Sequence, residues 1–261
     1  MFIDAHAHYD DEAFSKDGLE IMRKAYAGGC DVIINAAQDI ATTKQILKMT
    51  EELPFLYGTA GIHPHCAKNT VLADIELVGR LAQSDRCVAI GEIGLDYHYD
   101  FCPREKQKTV FSEQLELAGA LSLPVVVHDR EAHEDTLKLL EYFLSDRSRC
   151  LIHCYSGSRE MAEIIMKRGY YVSIGGAVTF KNARRILEAL EVIPLERILL
   201  ETDCPYMTPV PLRGQRNDSR NIPLIAAKIA EVKGCLLDSI YKITSKNATE
   251  FYNLQKKMVN P

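Results

Sequence analysis

The chain has 261 residues, 47% of them hydrophobic, and a formal net charge of −5 at pH 7. A chain of this length and apolar content can bury a sizeable core, so we expect residues 1–261 to form a single domain. The acidic balance excludes a protein that coats DNA, because such binding needs a basic surface that releases counterions. A nucleic-acid substrate would have to be held at a local site, where bound cations supply the positive charge.

The amino terminus lacks the succession of basic, apolar and small residues that marks a secretory signal. No apolar run approaches the roughly 18 residues needed to span a bilayer. We therefore expect a cytoplasmic protein with no membrane association and no obligatory protein partner. The eight cysteines are dilute and none stands in a CxxC pair, which predicts reduced thiols that act as small hydrophobic residues.

Short apolar or β-branched runs alternate with longer segments of helical period, as in repeated βα units. Strands are predicted at residues 2–5, 31–36, 55–62, 87–94, 124–128, 150–154, 170–175 and 197–202. Helices are predicted by apolar residues three and four apart in segments such as 18–29, 107–122, 158–169, 221–234 and 237–254. This alternation is typical of either an open doubly wound sheet or a (β/α)8 TIM barrel.

Residues that can bind a metal fall at or near the carboxyl ends of the predicted strands. In chain order they are His6 and His8 (strand one), His63 and His65 (strand three), Glu92 (four), His128 (five), His153 (six) and Asp203 (eight). In a barrel these ends meet at one mouth, whereas the first and last strands of an open sheet lie far apart. The placement therefore favours an α/β fold of the (β/α)8 TIM-barrel type with a metal site at the C-terminal mouth of the strands.

The segment FIDAHAHYDD places His6 and His8 two residues apart near the start of the chain. In extended backbone both rings point to one face roughly 7 Å apart, a separation that one ion between them can bridge. A histidine pair hydrogen-bonded within a loop explains the same motif, so the HAH motif alone leaves both interpretations open.

Glu92 lies in the apolar, glycine-flanked segment AIGEIGLDY, where an unpaired charge is costly to bury. Because the neighbouring strand ends offer histidines, a metal ion is favoured as its partner over a lysine or arginine. His128 and His153 each alone indicate only a buried histidine satisfied by the backbone. Their common position at the same face as Glu92 favours a role as ligands.

The segment LLETDCPY ends the eighth predicted strand with Glu201 and Asp203 on one face. Asp203 lies closer to the predicted mouth and is assigned to the site, with Glu201 supporting it from below. His98 and His133 lie beyond the strand ends and are left out of the predicted site.

Four histidines and two carboxylates make up the predicted metal ligands: His6, His8, Glu92, His128, His153 and Asp203. Their mixed nitrogen and oxygen donors suit Zn²⁺ or Mn²⁺ better than Mg²⁺ or Ca²⁺, which prefer oxygen. Six ligands are too many for one open catalytic ion and fit two ions that share a carboxylate. Glu92, in the middle of the set, is predicted to be that bridge.

The motifs DAHAH, GIHPH, GEIGLDY, VHDR, HCYSG and ETDCPY occur in this order and are followed by RGQRN. Together they resemble the TatD-type metal-dependent deoxyribonucleases, within the amidohydrolase-like barrels, over essentially the whole chain. The resemblance gives the six ligands their roles: one ion held by His6 and His8, a second held by His128 and His153, Glu92 as the bridge, and Asp203 as a further ligand of the first ion that also handles the attacking water.

The resemblance also implies that the enzyme cleaves phosphodiester bonds of DNA, single-stranded or end-accessible, with two divalent ions (Zn²⁺, Mn²⁺ or Mg²⁺) as cofactors. Besides Asp203 and Glu92, His65 is a predicted catalytic residue that holds the scissile phosphate or assists the leaving group. Arg130, in VHDR, is predicted to grip the same phosphate through its planar guanidinium. The basic loop, with Arg213, Arg216 and Arg220, is interpreted either as a guide for the DNA strand or as a solvated loop.

Two other functions stay open. A water activated by two metals also cleaves carboxylic esters and amides, and some TatD-like proteins are implicated in removing D-amino acids from transfer RNA. A noncatalytic barrel that binds nucleic acid or a protein is disfavoured, because all six predicted ligands are present.

Overall fold

A computed structural model describes residues 1–144 and 149–255 of the chain. Its strands are β1 (Phe2–Ala7), β2 (Cys30–Asn35), β3 (Leu56–Ala60), β4 (Cys87–Asp96), β5 (Val125–Arg130), β6 (Cys150–Ile152), β7 (Tyr171–Ile174) and β8 (Ile198–Leu200). Its α-helices are α1 (Gly18–Ala27), α2 (Ile40–Glu52), α3 (Leu72–Leu81), α4 (Arg104–Leu121), α5 (His133–Phe143), α6 (Arg159–Lys167), α7 (Arg184–Val192), α8 (Ile222–Lys233) and α9 (Leu237–Phe251).

The eight strands are parallel and follow one another in the sheet in chain order. The first and last strands also meet, because the main chain directly after β8 bonds to the end of β1. Asp203 N donates to His6 O at 3.0 Å, and His8 N donates to Cys204 O at 2.8 Å. An open doubly wound sheet would keep these strands apart, so the predicted (β/α)8 barrel class is confirmed.

By its internal contacts the chain divides into two compact units. One comprises residues 1–35 and 154–251 and contains β1, β2, β7 and β8. Among the described residues, the other comprises 36–144, 149–153 and 252–255 and contains β3 to β6. That residues 1–261 form a single domain stays a prediction.

Most strand residues are buried, as expected for parallel strands covered on both faces, and the exposed end of β5 is an exception. All six residues of β1 and all ten of β4 are buried. The largest fully buried side chains include Met22 and Ile33 in the first unit and Ile90 and Phe111 in the second. No helix within the described residues is long and apolar enough to cross a membrane.

Three strands run two residues further than predicted, to Ala7 in β1, Asp96 in β4 and Arg130 in β5. The predicted ends were wrong because they were placed where the apolar run stops, whereas the strands continue as far as their neighbours pair with them. In β4 and β5, Leu95 pairs with Asp129 and Asp96 with Arg130. His6 and His128 therefore lie inside strands, within three residues of the strand ends.

β4 and β5 approach each other closely at Gly94. This glycine has φ +143°, and a Cβ added to it would collide with the carbonyl oxygen of its pairing partner His128. Only glycine adopts this conformation readily. The close approach places the main chain of His128 directly beside the end of β4, where Glu92 and Asp96 lie.

Candidate metal centre

In the first unit, the end of β1 and the segment after β8 bring His6, His8 and Asp203 together. The two histidine Nε2 atoms lie 3.1 Å apart and the ring centroids 4.9 Å apart. The expected separation of roughly 7 Å between the rings was wrong, because it is a backbone spacing and the side-chain torsions bring the two ring tips together.

The three side chains offer donor atoms at distances that one metal ion requires. Asp203 Oδ1 lies 3.4 Å from His8 Nε2 and 3.9 Å from His6 Nε2. The point equidistant from these three atoms lies about 2.0 Å from each, close to a Zn–N bond length. Two imidazole nitrogens and a carboxylate oxygen are also a common donor set for Zn²⁺ and related ions. The group therefore fits a divalent cation.

A buried aspartate that the sequence analysis missed, Asp4, holds β1 to the segment after β8. Its carboxylate accepts hydrogen bonds from Thr202 N at 2.9 Å, Thr202 Oγ1 at 2.6 Å and Ser219 Oγ at 2.7 Å. Burial raises the pKa of Asp4 to about 7, although these hydrogen bonds oppose the rise. The sequence signal was present, since Asp4 interrupts an apolar run just as Glu92 does.

Glu201 is buried and accepts hydrogen bonds from the chain after β6 and from β7. Its support of Asp203 stays a prediction. Its Oε1 accepts from Cys154 N at 2.7 Å, and its Oε2 accepts from Ser173 Oγ at 2.5 Å. Glu201 thereby fixes the backbone of the residue that directly follows His153.

In the second unit, the carboxylate of Glu92 is surrounded by imidazoles. Its Oε1 lies 2.8 Å from His153 Nε2, 2.9 Å from His128 Nδ1 and 3.3 Å from His63 Nε2. Burial opposes ionisation of Glu92, but His153, His63 and His128 outweigh it and hold the pKa of Glu92 well below its usual range. Glu92 is therefore a charged carboxylate in a buried site, as a metal ligand has to be.

Glu92, His128 and His153 are close enough to share an ion. His153 Nε2 lies 3.4 Å from His128 Nδ1, so the three donor atoms are 2.8 to 3.4 Å from one another. His63, Glu92 and His128 also offer donor atoms that all lie within 4.8 Å of one another. The group of Glu92, His128 and His153 fits a divalent cation for the same reasons of donor type and spacing.

His63 is the histidine of GIHPH to which the sequence analysis assigned no role. Burial lowers its pKa to about 4, against the influence of Glu92, so its ring is neutral at pH 7. Its Nδ1 accepts a hydrogen bond from His65 N at 3.2 Å. A neutral ring that accepts at Nδ1 carries its proton on Nε2, which faces Glu92. This contact makes His63 a hydrogen-bond donor to the Glu92 carboxylate.

Asp96, at the end of β4, joins the predicted substrate residue His65 to the predicted ligand His128. Its Oδ2 lies 2.9 Å from His65 Nε2 and 3.0 Å from His128 Nε2. Burial opposes ionisation of Asp96, but these contacts and a hydrogen bond from Tyr99 N hold its pKa below the usual range. Burial likewise opposes protonation of His128, but Asp96 and Glu92 outweigh it and raise the His128 pKa.

The end of β4 is fixed by a buried glutamine on α4. Gln107 Oε1 accepts from Asp96 N at 2.8 Å, and its Nε2 donates to Asp96 O at 3.0 Å and to Cys102 O at 2.8 Å. One side chain therefore holds both ends of the loop that follows β4. The roles of Asp96 and Gln107 were not predicted from the sequence, because they depend on contacts across that loop.

Among the predicted substrate residues, Arg130 is exposed at the end of β5, with its guanidinium 4.9 Å from the centroid of the Tyr99 ring. In the basic loop, Arg216 pairs with Asp17 at 2.7 Å. Arg220 pairs with Asp218 at 2.8 Å. The guanidinium of Arg213 lies 4.0 Å from the Phe180 ring centroid. Two of the three loop arginines are therefore neutralised locally, which favours the interpretation of this segment as a solvated loop.

The two histidines left out of the predicted site are exposed and each pairs with a carboxylate, which is exposed for Glu131 and buried for Asp129. His98 Nδ1 lies 2.8 Å from Glu131 Oε1, and His133 Nδ1 lies 2.7 Å from Asp129 Oδ2. Both pairs lie in the second unit. The fold and the two histidine–carboxylate groups thus define a metal-binding (β/α)8 protein.

Comparison with known proteins identifies the family. The model of the TatD-related DNase family matches residues 3–253. The chain is 38% identical over 254 residues to YabD of Bacillus subtilis, an uncharacterized metal-dependent hydrolase, covering 97% of this chain and 100% of YabD. It is 36% identical over 228 residues to the 3′-5′ ssDNA/RNA exonuclease TatD of Escherichia fergusonii, covering 85% of this chain and 87% of that one.

Among solved structures, the fold is similar to the crystal structure of YjjV, a TatD homologue from Escherichia coli. The TM-score is 0.91 at 30% identity, over 97% of this chain and 98% of YjjV. The chain belongs to the TatD-related DNase family, and it is a metal-dependent hydrolase.

Proposed function

We propose that the protein is a deoxyribonuclease that hydrolyses phosphodiester bonds of single-stranded or end-accessible DNA with two divalent ions. The observation that carries the proposal is the triangle of His6, His8 and Asp203, whose donor spacing suits a catalytic cation. The substrate class is supported by the family and by the relative named as an ssDNA/RNA exonuclease. Because the net charge is −5, metal-bound phosphate recognition also suits the chain better than a basic surface does.

In this proposal His6, His8 and Asp203 hold one ion, and His128 and His153 hold the other. The sharing of Glu92 between the two ions remains a prediction from the family resemblance. Bound divalent ions lower the pKa of a coordinated water and neutralise charge on a phosphate undergoing attack. Zn²⁺, Mn²⁺ and Mg²⁺ are the candidate ions, and we place the activity in the cytoplasm.

Side chains carry out proton transfer and phosphate binding. Asp203 accepts the proton of the attacking water, since it is a carboxylate that is partly open to solvent. His65 is 29% exposed and is oriented by Asp96, so it can position the phosphate without losing its own hydrogen bond. Arg130 is exposed at the end of the neighbouring strand and binds a phosphate oxygen through its guanidinium.

The test is hydrolysis of an end-labelled single-stranded oligonucleotide in the presence of Mn²⁺, Mg²⁺ or Zn²⁺. Asp203→Asn and Glu92→Gln should each lower kcat/KM at least about 100-fold, because each removes a charge that the reaction uses. The matched control is His133→Gln, which removes an exposed imidazole outside the predicted site but keeps a hydrogen-bond donor for the buried Asp129 carboxylate. Metal content, measured by mass spectrometry after dialysis, should fall in the two site variants but not in the control.

Full activity of the wild-type protein after chelation and dialysis would contradict the proposal. A D-aminoacyl-tRNA assayed in parallel separates the two ester classes. Release of the amino acid without cleavage of the oligonucleotide would show that the protein is a deacylase and not a nuclease.

A further inference from the structure

Two aromatic rings lie open to solvent on the loop between β4 and α4. Tyr99 is 48% exposed and Phe101 is 61% exposed. The rings are stacked, with centroids 5.4 Å apart and planes inclined by 22°. A single exposed ring is ordinary, but two stacked exposed rings form a contiguous apolar patch, which makes the pair a candidate binding surface.

The pair lies against the predicted substrate residue. The ring centroid of His65 is 4.9 Å from that of Phe101 and 5.4 Å from that of Tyr99, with both rings near perpendicular to it. His65 in turn contacts Asp96, which contacts the predicted ligand His128. The exposed rings are therefore separated from the second metal group by only two side chains.

A positively charged side chain lies beside the Tyr99 and Phe101 rings. The guanidinium of Arg130 lies 4.9 Å from the Tyr99 ring centroid, at the end of β5. Proteins that bind single strands combine such a cation, which contacts the phosphate backbone, with aromatic rings on which the bases stack. An acidic or purely apolar partner would use only one of these two features, whereas a nucleotide uses both.

The loop is held in place before any substrate arrives. Asp96 Oδ1 accepts hydrogen bonds from His98 N at 3.0 Å and from Tyr99 N at 2.9 Å. Gln107 holds the carbonyl of Cys102 at the other end. A preorganised surface loses less entropy on binding than a mobile one, so its rings contribute more of their stacking energy to affinity.

We propose that Tyr99 and Phe101 form a stacking platform for an unpaired base next to the scissile phosphate that His65 and Arg130 contact. This assignment rests on the proposed nuclease function and says which DNA the enzyme prefers. The platform accepts any of the bases, because every base has a flat face. It favours single-stranded ends over duplex, because a paired base must be opened before it can stack there.

The first test measures binding alone. The metal-loaded protein is titrated against a single-stranded oligonucleotide with 2-aminopurine at each end and phosphorothioate linkages that slow cleavage, and affinity is read from fluorescence. Phe101→Ala and Tyr99→Ala should weaken binding by roughly 5- to 150-fold. Phe101→Leu, which keeps an apolar side chain but no ring, should behave like Phe101→Ala, and Tyr99→Phe should bind like the wild type.

Tyr142→Ala is the matched control. Tyr142 is 83% exposed in the last turn of α5 in the same unit, so its removal deletes an exposed ring away from the strand ends. A second oligonucleotide, with abasic terminal nucleotides and 2-aminopurine at an internal position as the reporter, removes the terminal bases but keeps the phosphates. The platform predicts that wild-type protein and Phe101→Ala bind the abasic oligonucleotide equally well.

Steady-state kinetics on a cleavable single strand complete the test. Phe101→Ala should raise KM with little change in kcat, because stacking stabilises the bound substrate and the transition state alike. Unchanged binding by the alanine variants, or an equal loss on the abasic oligonucleotide, would overturn the platform while leaving the nuclease intact. If binding of single strands depends on Phe101 but no phosphodiester is cleaved, the proposed nuclease function is wrong and the stacking platform is retained.

Discussion

Buried carboxylates organise the candidate site at the scale of single residues. Asp4 and Glu92 each interrupt an apolar strand, and Asp96 ends one. Each of the three contacts polar groups from a distant part of the chain. Glu92 was predicted from sequence because a lone carboxylate in an apolar segment demands a partner. The identity of its partners was only partly predictable. His128 and His153 were expected, whereas His63 was not given a role.

Gln107 shows how one side chain can position others without touching the substrate. Replacing it with leucine leaves the main-chain groups of Asp96 and Cys102 buried without their partner. We expect Gln107→Leu to lower the free energy of unfolding by about 2 to 5 kcal/mol. Urea denaturation measures this change.

The control for that substitution is Gln83→Leu, which places the same leucine at an exposed position after α3. It should change the free energy of unfolding by less than about 0.5 kcal/mol. Equal effects of the two substitutions would mean that the hydrogen bonds of Gln107 contribute nothing to stability.

At the scale of elements, the types of the strands and helices were predictable and their ends were not. All eight predicted strands are present, because period and β-branched content are local properties. β1, β4 and β5 outlast their apolar runs, because pairing with a neighbour rather than composition decides where a strand stops. This matters for the site, since the two extra residues of β4 include Asp96.

Two glycines of the second unit should respond oppositely to the same substitution. Gly94→Ala forces a Cβ into the carbonyl of His128 at a φ of +143°, so we expect a loss of about 3 kcal/mol or more in the free energy of unfolding. Gly119 lies in α4 with nothing within 4 Å of an added Cβ. Gly119→Ala should therefore stabilise the protein by about 0.5 to 1 kcal/mol.

The midpoints of urea denaturation compare the two alanine variants directly. Activity on the oligonucleotide should also fall in Gly94→Ala, because the main chain of His128 would have to move, and should be retained in Gly119→Ala. A Gly94→Ala protein as stable as the wild type would contradict the close approach of β4 and β5.

At the scale of the whole molecule, a resident metal should stabilise the folded chain by mass action. At a free-ion concentration 100 times the dissociation constant, one site contributes about 2.7 kcal/mol. For a chain of this size that corresponds to a rise in Tm of roughly 5 to 10 °C. Calorimetry of dialysed protein with and without Mn²⁺ or Zn²⁺, at one scan rate, measures the rise.

The double variant His8→Ala/Glu92→Gln provides the control, because it removes one ligand from each group. Its Tm should not respond to the ion, and its far-ultraviolet circular dichroism should match the wild type, since residues at the strand ends of a barrel serve function more than stability. A metal-induced rise in Tm that survives in the double variant would place the ion elsewhere.

The sequence by itself determined the alternation of strands and helices, the family motifs and the chain positions of the predicted ligands. These follow from local periodicity and from residue type, which need no knowledge of distant parts of the chain. Only the tertiary structure decided that the rings of His6 and His8 converge, that His63 and Asp96 join the second group, that two loop arginines are already paired, and that Tyr99 and Phe101 stack in the open. The reason is physical. The direction of a side chain at a strand end depends on torsions set by contacts between segments tens of residues apart, and no local pattern encodes them.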